Sequence, residues 1–212
     1  MHRWIAFFDF DGTITSEETF YGSMLRLNPL DLEKEQRALV RGEVRLREGL
    51  LRIFSGTPSE KYPLIEEYIK EVPFRNGFRE LLVYLKSHNI PAVVISGGIK
   101  QLIDTALIPY RELIADVYSV HLDLSGEHMR LVSEYDDGEE LMSKTMVMDR
   151  YAYENAICIG DGITDVLMAK KSTIVFARDD LRAICEREQL RYTAWDDFFD
   201  ILKALKGMEG VL

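Results

Sequence analysis

Apolar positions along this 212-residue chain follow two rhythms. Short apolar runs, from Ile5 to Phe8, over 91–96 and over 155–160, each stop at carboxylates, hydroxyls or glycine. Such runs predict strands buried on both faces, as in a parallel sheet. Thr173 to Ala177 is a further strand, and a short one lies near Val117 to Leu122. Ser125-Gly126 reads as a hairpin turn before Met129-Arg130-Leu131. Between the runs the spacing turns helical. Gly77 to His88 places Phe78, Leu81, Leu82 and Leu85 on one face, and further helices are expected over 99–107, 164–171, Leu181 to Glu188 and Asp196 to Lys206.

From about Ser16 to Val72 strand runs are missing and the chain reads as helices. Ser16 is expected to cap the first. Thr57-Pro58-Ser59-Glu60 has the capping-box pattern with proline at the first helical position. The helix after it is expected to turn Leu64, Ile65, Tyr68 and Ile69 inward, with a kink at Pro63. The fold class expected is therefore α/β: a Rossmann-like parallel-sheet core of residues 1–15 and 74–212, with a small helical cap domain, 16–73, inserted into it.

Composition narrows the picture. Hydrophobic residues make up 47% of the chain, enough for a sizeable core. The net charge of −10, from 36 acids and 26 bases, argues against general nucleic-acid or anionic-membrane binding. Cys158 and Cys185 lie far apart with no CxxC pattern, which suits a reduced, cytoplasmic protein. The apolar N-terminal stretch meets Asp9 too early for a signal peptide or span. The histidines show no metal spacing. A monomer or homodimer is expected.

The chemistry lies where the strand runs stop. Asp9 and Asp11, in Asp9-Phe10-Asp11-Gly12-Thr13, are two apart, so strand alternation aims both at one spot at the carboxyl end of the first strand. Two carboxylates about 4 Å apart repel by about 4 kcal/mol at an effective dielectric near 20, which asks for a proton or a cation. A second acidic strand end, Gly160-Asp161-Gly162-Ile163-Thr164-Asp165, suggests a shared cation site. Oxygen donors without His or Cys suit Mg²⁺. Each acid also has a plainer reading, as a strand-end cap or a helix-capping residue. Ser96-Gly97-Gly98 closes another strand ahead of a helix, where backbone N–H groups can meet an anion. Lys144, alone, reads as solvated surface.

Together these motifs resemble the haloacid dehalogenase superfamily: DFDGT at Asp9 to Thr13, the strand ending at Ser96, Lys144, and GDGITD at Gly160 to Asp165, in order along nearly the whole chain. The resemblance implies a Rossmann-like core, Mg²⁺, phosphatase chemistry and a small phosphate-ester substrate. It makes Asp9 the nucleophile and Asp11 the general acid and base. Asp9, the Asp11 backbone carbonyl and Asp161 become metal ligands supported by Asp165, and Ser96, Gly97 and Lys144 become phosphate holders. Gly12 and Thr13 shape the loop.

Within the superfamily, the phosphoserine phosphatase branch suggests Glu18 and a cap arginine as specificity residues. Arg52 is the candidate, although Phe54 aligns as easily with that position. Arg37, Arg41 and Arg45 form a basic stripe if the helix survives Gly42; it reads as a solvated face, or as the source of one arginine entering the site. Arg47-Glu48-Gly49, Gly77-Phe78-Arg79-Glu80 and Phe176-Ala177-Arg178-Asp179 are closer to the phosphatase branch of bacterial methionine salvage, without that branch's cysteine-rich insertion before the lysine. Alternatives are a phosphoserine phosphatase, a phosphomutase, or a catalytically silent phosphometabolite-binding protein.

Overall fold

Residues 2–208 and 210 are described by a computed structural model. Strand β1 (His2–Phe8) is followed by the helices α1 (Thr19–Leu27), α2 (Pro29–Val40), α3 (Leu46–Ser55) and α4 (Tyr62–Ile69). Then come α5 (Phe78–Ser87), β2 (Ala92–Ile99), α6 (Lys100–Ala106), and the strands β3 (Asp116–Asp123) and β4 (Arg130–Val132). The chain continues through α7 (Lys144–Met148), β5 (Tyr153–Gly160), α8 (Val166–Lys170), β6 (Ile174–Ala177), α9 (Asp179–Glu188), β7 (Thr193–Ala194) and α10 (Phe198–Lys206).

The strands form one seven-stranded sheet in the order β4-β3-β2-β1-β5-β6-β7. Only β3 and β4 pair antiparallel, with Leu122 opposite Leu131. Strand β1 is flanked by β2 on one side and β5 on the other, with Phe8 beside both Val94 and Ile159. The chain winds outward from β1 through β2 to β4, then returns to β5 and winds the other way. That reversal opens a crevice at the carboxyl ends of β1, β2 and β5, the place where open α/β sheets hold ligands.

The unbroken apolar run of β1 is explained by two covered faces. Phe8 meets Phe78 at 6.0 Å and Phe198 at 6.2 Å, so it packs under α5 and α10. Phe7, on the opposite face, meets Tyr151 at 5.9 Å and Tyr153 at 5.7 Å. Alternation sends neighbouring side chains to opposite layers.

The helical block leaves and re-enters the sheet domain through one narrow neck. Thr15 bridges Phe74, the Ser16 amide donates to the Pro73 carbonyl at 3.0 Å, and the Arg75 amide donates to Ile14 at 2.9 Å. Several expectations for this block need correction. Ser16 does not cap α1; its hydroxyl reaches Pro73 instead. Thr57 bonds back to the Ile53 carbonyl at 2.7 Å, closing α3, and Ser59–Lys61 is a 3₁₀ turn. Pro63 lies in the first turn of α4, where its missing N–H costs nothing, so it starts the helix and does not kink it. Ile65, Tyr68 and Ile69 are buried, but Leu64 is 54% exposed. Helix α2 ends at Val40, and Gly42 takes φ +69°, so the Arg37–Arg41–Arg45 stripe is broken. Strand β7 was not foreseen; two residues are too short to show a period. No helix among the described residues is long and apolar enough to cross a membrane.

The burial register of α4 has a direct check. Ile65→Ala is expected to cost about 2–5 kcal/mol, and Leu64→Ala within about 0.5 kcal/mol, both read from urea denaturation. Equal losses would contradict this register.

Candidate active site

Four segments meet at the carboxyl edge of the sheet. Asp9 follows the last residue of β1, and its amide is held by the Ile159 carbonyl at 2.9 Å. Lys144 opens α7, and its ammonium lies between two carboxylates, in close contact with Asp9 Oδ1 and 2.6 Å from Asp165 Oδ1. Asp161 lies just past β5. Asp9, Lys144, Asp161 and Asp165 are all buried. Carboxylate oxygens of Asp9, Asp161 and Asp165 lie within 4.8 Å of one another.

Asp165 is fully committed. Its Oδ2 accepts the amides of Asp161 and Gly162, both at 3.0 Å, while its Oδ1 takes the lysine. It shapes the turn after β5 as well as balancing Lys144. Gly160 is required beside it, because a Cβ there would lie 2.5 Å from Asp165 Oδ2.

Asp11 is placed differently from the alternation argument. Pairing in β1 stops at Phe8, so the two-residue period no longer governs Asp11. Its Oδ1 accepts the Thr19 amide at 2.9 Å, the Phe20 amide at 3.2 Å and the Thr19 hydroxyl in a short contact. Asp11 therefore satisfies the first free amides of α1, the task expected of Ser16, and its charge suits the positive helix end. Its Oδ2 accepts from the Ser96 hydroxyl at 3.1 Å, and Ser96 Oγ in turn accepts the Gly98 amide at 2.9 Å. A Cβ at Gly98 would approach Asp11 Oδ2 to 2.7 Å, whereas Gly97 faces open space.

Two residues outside the expected roles hold this site together. Thr13 donates to Asp161 Oδ1 at 2.7 Å and so orients a prospective metal ligand. Arg75 clamps the Asp9–Thr13 loop, donating to the Gly12 carbonyl at 2.6 Å and the Thr13 carbonyl at 3.2 Å. Nothing in the sequence flags Arg75; only its position at the returning neck brings it there. Gly12 takes φ +73°, and a Cβ would meet Asp161 Oδ2 at 2.3 Å and Glu18 Oε1 at 2.9 Å.

Glu18 is thus at the mouth of the site, facing the acids across Gly12. Arg52 is elsewhere: it pairs with Glu35 at 3.6 Å, and 60% of its side chain is exposed. Phe54, fully buried, stacks on Phe20 with ring centroids 5.7 Å apart. Since the Phe20 amide holds Asp11, that stack adjoins the site. Arg37, Arg41 and Arg45 pair with Glu33, Glu43 and Glu139, so none of the stripe turns to the acids.

The electrostatics follow from burial. Asp9 is pushed well above the usual carboxylate range by burial; Lys144 opposes this, and Asp165, Asp161 and Asp11 add to it. Burial also raises Asp11, against the hydrogen bonds from Thr19, Ser96 and Phe20. Burial raises Asp161, offset in part by Thr13. Glu18 rises to about 7 through desolvation and then the charges of Asp11, Asp161 and Asp165. Burial alone would lower Lys144, but Asp165 and Asp9 outweigh it and keep it charged. Four carboxylates against one ammonium leave negative charge to be offset. All-oxygen donors at this spacing fit a hard divalent cation such as Mg²⁺.

Residues 6–170 match the family model of haloacid dehalogenase-like hydrolases. Over 206 residues, the chain is 38% identical to a Microcystis aeruginosa protein named 2-hydroxy-3-keto-5-methylthiopentenyl-1-phosphate phosphatase, covering 95% of this chain and 97% of that one. A protein of the same name from Lysinibacillus sphaericus (strain C3-41) is 30% identical over 214 residues, covering 95% and 93%. Among solved structures, an apo phosphoserine phosphatase superposes with a TM-score of 0.69 at 21% identity, covering 96% and 98%, a likeness of fold.

Lys144→Met leaves Asp9 and Asp165 buried without their cation. The expected cost is about 3–5 kcal/mol of stability in chelator-treated protein, measured by urea denaturation. Native stability in that variant would show the three groups to be unpaired.

Proposed function

This chain belongs to the haloacid dehalogenase-like hydrolase family, and from that membership we propose that it is a Mg²⁺-dependent phosphomonoesterase working through an aspartyl-phosphate on Asp9. The chain is a phosphatase with the α/β fold of this family. The observation that carries the mechanism is the convergence of Lys144 on Asp9 and Asp165, with Asp161 and Asp11 alongside.

Asp9 attacks phosphorus, and the bond to the ester oxygen breaks. The leaving alkoxide takes a proton from Asp11, which Thr19 and Ser96 hold in place. Water then gives its proton to Asp11 and attacks phosphorus, breaking the Asp9–phosphorus bond and releasing phosphate. Lys144, Ser96 and Gly97 hold the phosphoryl oxygens. Asp9, Asp161 and the Asp11 carbonyl are the proposed Mg²⁺ ligands, with Thr13 and Asp165 orienting Asp161 and the turn beneath it. When bound there, a cation would supply charge neutralisation for the phosphoryl group. Residues 16–73 are the cap that covers the substrate, with Glu18 at its edge.

For the substrate, we favour 2-hydroxy-3-keto-5-methylthiopentenyl-1-phosphate, the ester named for the relatives at 38% and 30% identity. The apolar Phe20–Phe54 stack beside Asp11 supports an apolar leaving group. Arg52 is engaged by Glu35, so α3 offers a flat ring where a carboxylate-bearing substrate such as phosphoserine would need a cation. A cytoplasmic location accords with this small-metabolite role.

Phosphate release from an aryl phosphate is expected to require Mg²⁺, to stop with a chelator, and to vanish in Asp9→Asn. Turnover surviving in Asp9→Asn would end the covalent mechanism. In a panel of phosphorylated metabolites, the methylthiopentenyl ester is expected to exceed phosphoserine in kcat/KM by about tenfold or more, about 1.4 kcal/mol of transition-state binding.

A further inference from the structure

Helix α3 carries Phe54 and meets the sheet domain at both ends. At its carboxyl end the contact is backbone: Pro58 bridges His128, the Ser59 amide donates to Glu127 at 2.9 Å, and the Met129 amide donates to Thr57 at 2.8 Å. At its amino end two arginines reach the loop ahead of Lys144: Arg45 meets Glu139 in an exposed contact, and Arg47 makes the closer pair. Arg47 grips Asp136 with two parallel bonds, Nε to Oδ1 at 2.9 Å and Nη2 to Oδ2 at 2.6 Å. Asp136 belongs to the loop that runs into Lys144.

That loop is already shaped to receive the arginine. Asp136 Oδ1 also takes the Gly138 amide at 2.9 Å, Asp137 Oδ1 takes the amides of Glu139 and Glu140, and Ser143, the residue before Lys144, donates its amide to Tyr135 at 2.9 Å. Tyr135 is fastened to the sheet domain by Tyr118, 5.5 Å away edge-on, and by Arg150. The pair differs from its neighbour Arg45–Glu139. The side chains of Arg47 and Asp136 are 26% and 24% exposed, against 63% and 70% for Arg45 and Glu139. Exposed single contacts contribute little, whereas bidentate, half-buried pairs hold geometry.

We propose that Arg47 and Asp136 are positioning residues: their ion pair clasps the cap to the Lys144 loop, and so seats Phe54 on Phe20 over Asp11. This rests on the reading of residues 16–73 as a cap. Neither residue touches the reacting atoms. The clasp ties the leaving-group wall to the same loop that delivers the phosphate-binding lysine, so both walls of the site share one register. With the clasp open, the cap stays joined through its neck and through residues 57–59, but α3 is free to swing about that end.

The test uses Arg47→Ala, Asp136→Asn and the double variant. In hydrogen exchange without substrate, each single variant is expected to speed exchange of the α3 amides by about tenfold or more, leaving β1 and β5 at native rates. The double variant is expected to be no faster than either single one. On the aryl phosphate, KM is expected to rise with kcat within about twofold of native, since uniform binding is lost and the chemistry is not. Native exchange of α3 in Arg47→Ala, effects that sum in the double variant, or a loss confined to kcat would overturn the clasp. Exchange is read without turnover. An inactive native protein would therefore count against the phosphatase mechanism and leave the exchange result standing.

Discussion

A single ammonium group organises this molecule's functional end. Lys144 is withdrawn from water and lies between Asp9, just past β1, and Asp165, in the turn after β5, the two strands being paired neighbours. Taking those charges out of water is costly, and only their mutual placement offsets it. Asp165 in turn holds the amides after β5, so the lysine's position, the turn that carries Asp161 and the end of β1 are set together. The buried acids still outnumber the cation. That excess of negative charge is what the proposed divalent ion would offset.

Asp11 supplies the second coupling. Its carboxylate is at once the cap of α1 and the hydrogen-bond partner of Ser96 at the end of β2. The group proposed to carry the proton is thus bonded to the first turn of the helical block. A shift of α1 relative to the sheet would move or free that carboxylate. Arg75, at the returning neck, grips the same loop from the other side through Gly12 and Thr13. The narrow crossing between the helical block and the sheet domain is therefore also the scaffold of the Asp9–Thr13 loop.

The helical block meets the site with an aromatic face. Its arginines along 37–52 are matched by Glu33, Glu43, Glu139, Asp136 and Glu35, away from the acid cluster. Phe20 and Phe54 lie closer to Asp11 in the chain of contacts. An apolar wall beside a strongly charged floor separates two tasks. In the proposed mechanism the floor would bind what every phosphate ester shares, and the wall would read what distinguishes one ester from another.

The linear pattern by itself determined the sheet strands β1, β2, β5 and β6, the run of helices between Thr19 and Ile69, and the acids at the strand ends. A strand buried on both faces leaves an unbroken apolar run, and a run that ends in carboxylates marks where the backbone emerges into a crevice. What only tertiary structure decided are the partners. Alternation does not extend past the last paired residue, so Asp11 turns to α1 and Ser96 and not to Asp9's exact direction. Gly42 breaks the basic stripe, and Leu64 faces water although its helix is amphipathic. Arg75 has no local signature, and the motifs that contain Thr13 and Arg47 do not mark their partners, Asp161 and Asp136. Their roles join residues from 62 to 148 positions apart in the chain, and periodicity over a few turns carries no information at that range.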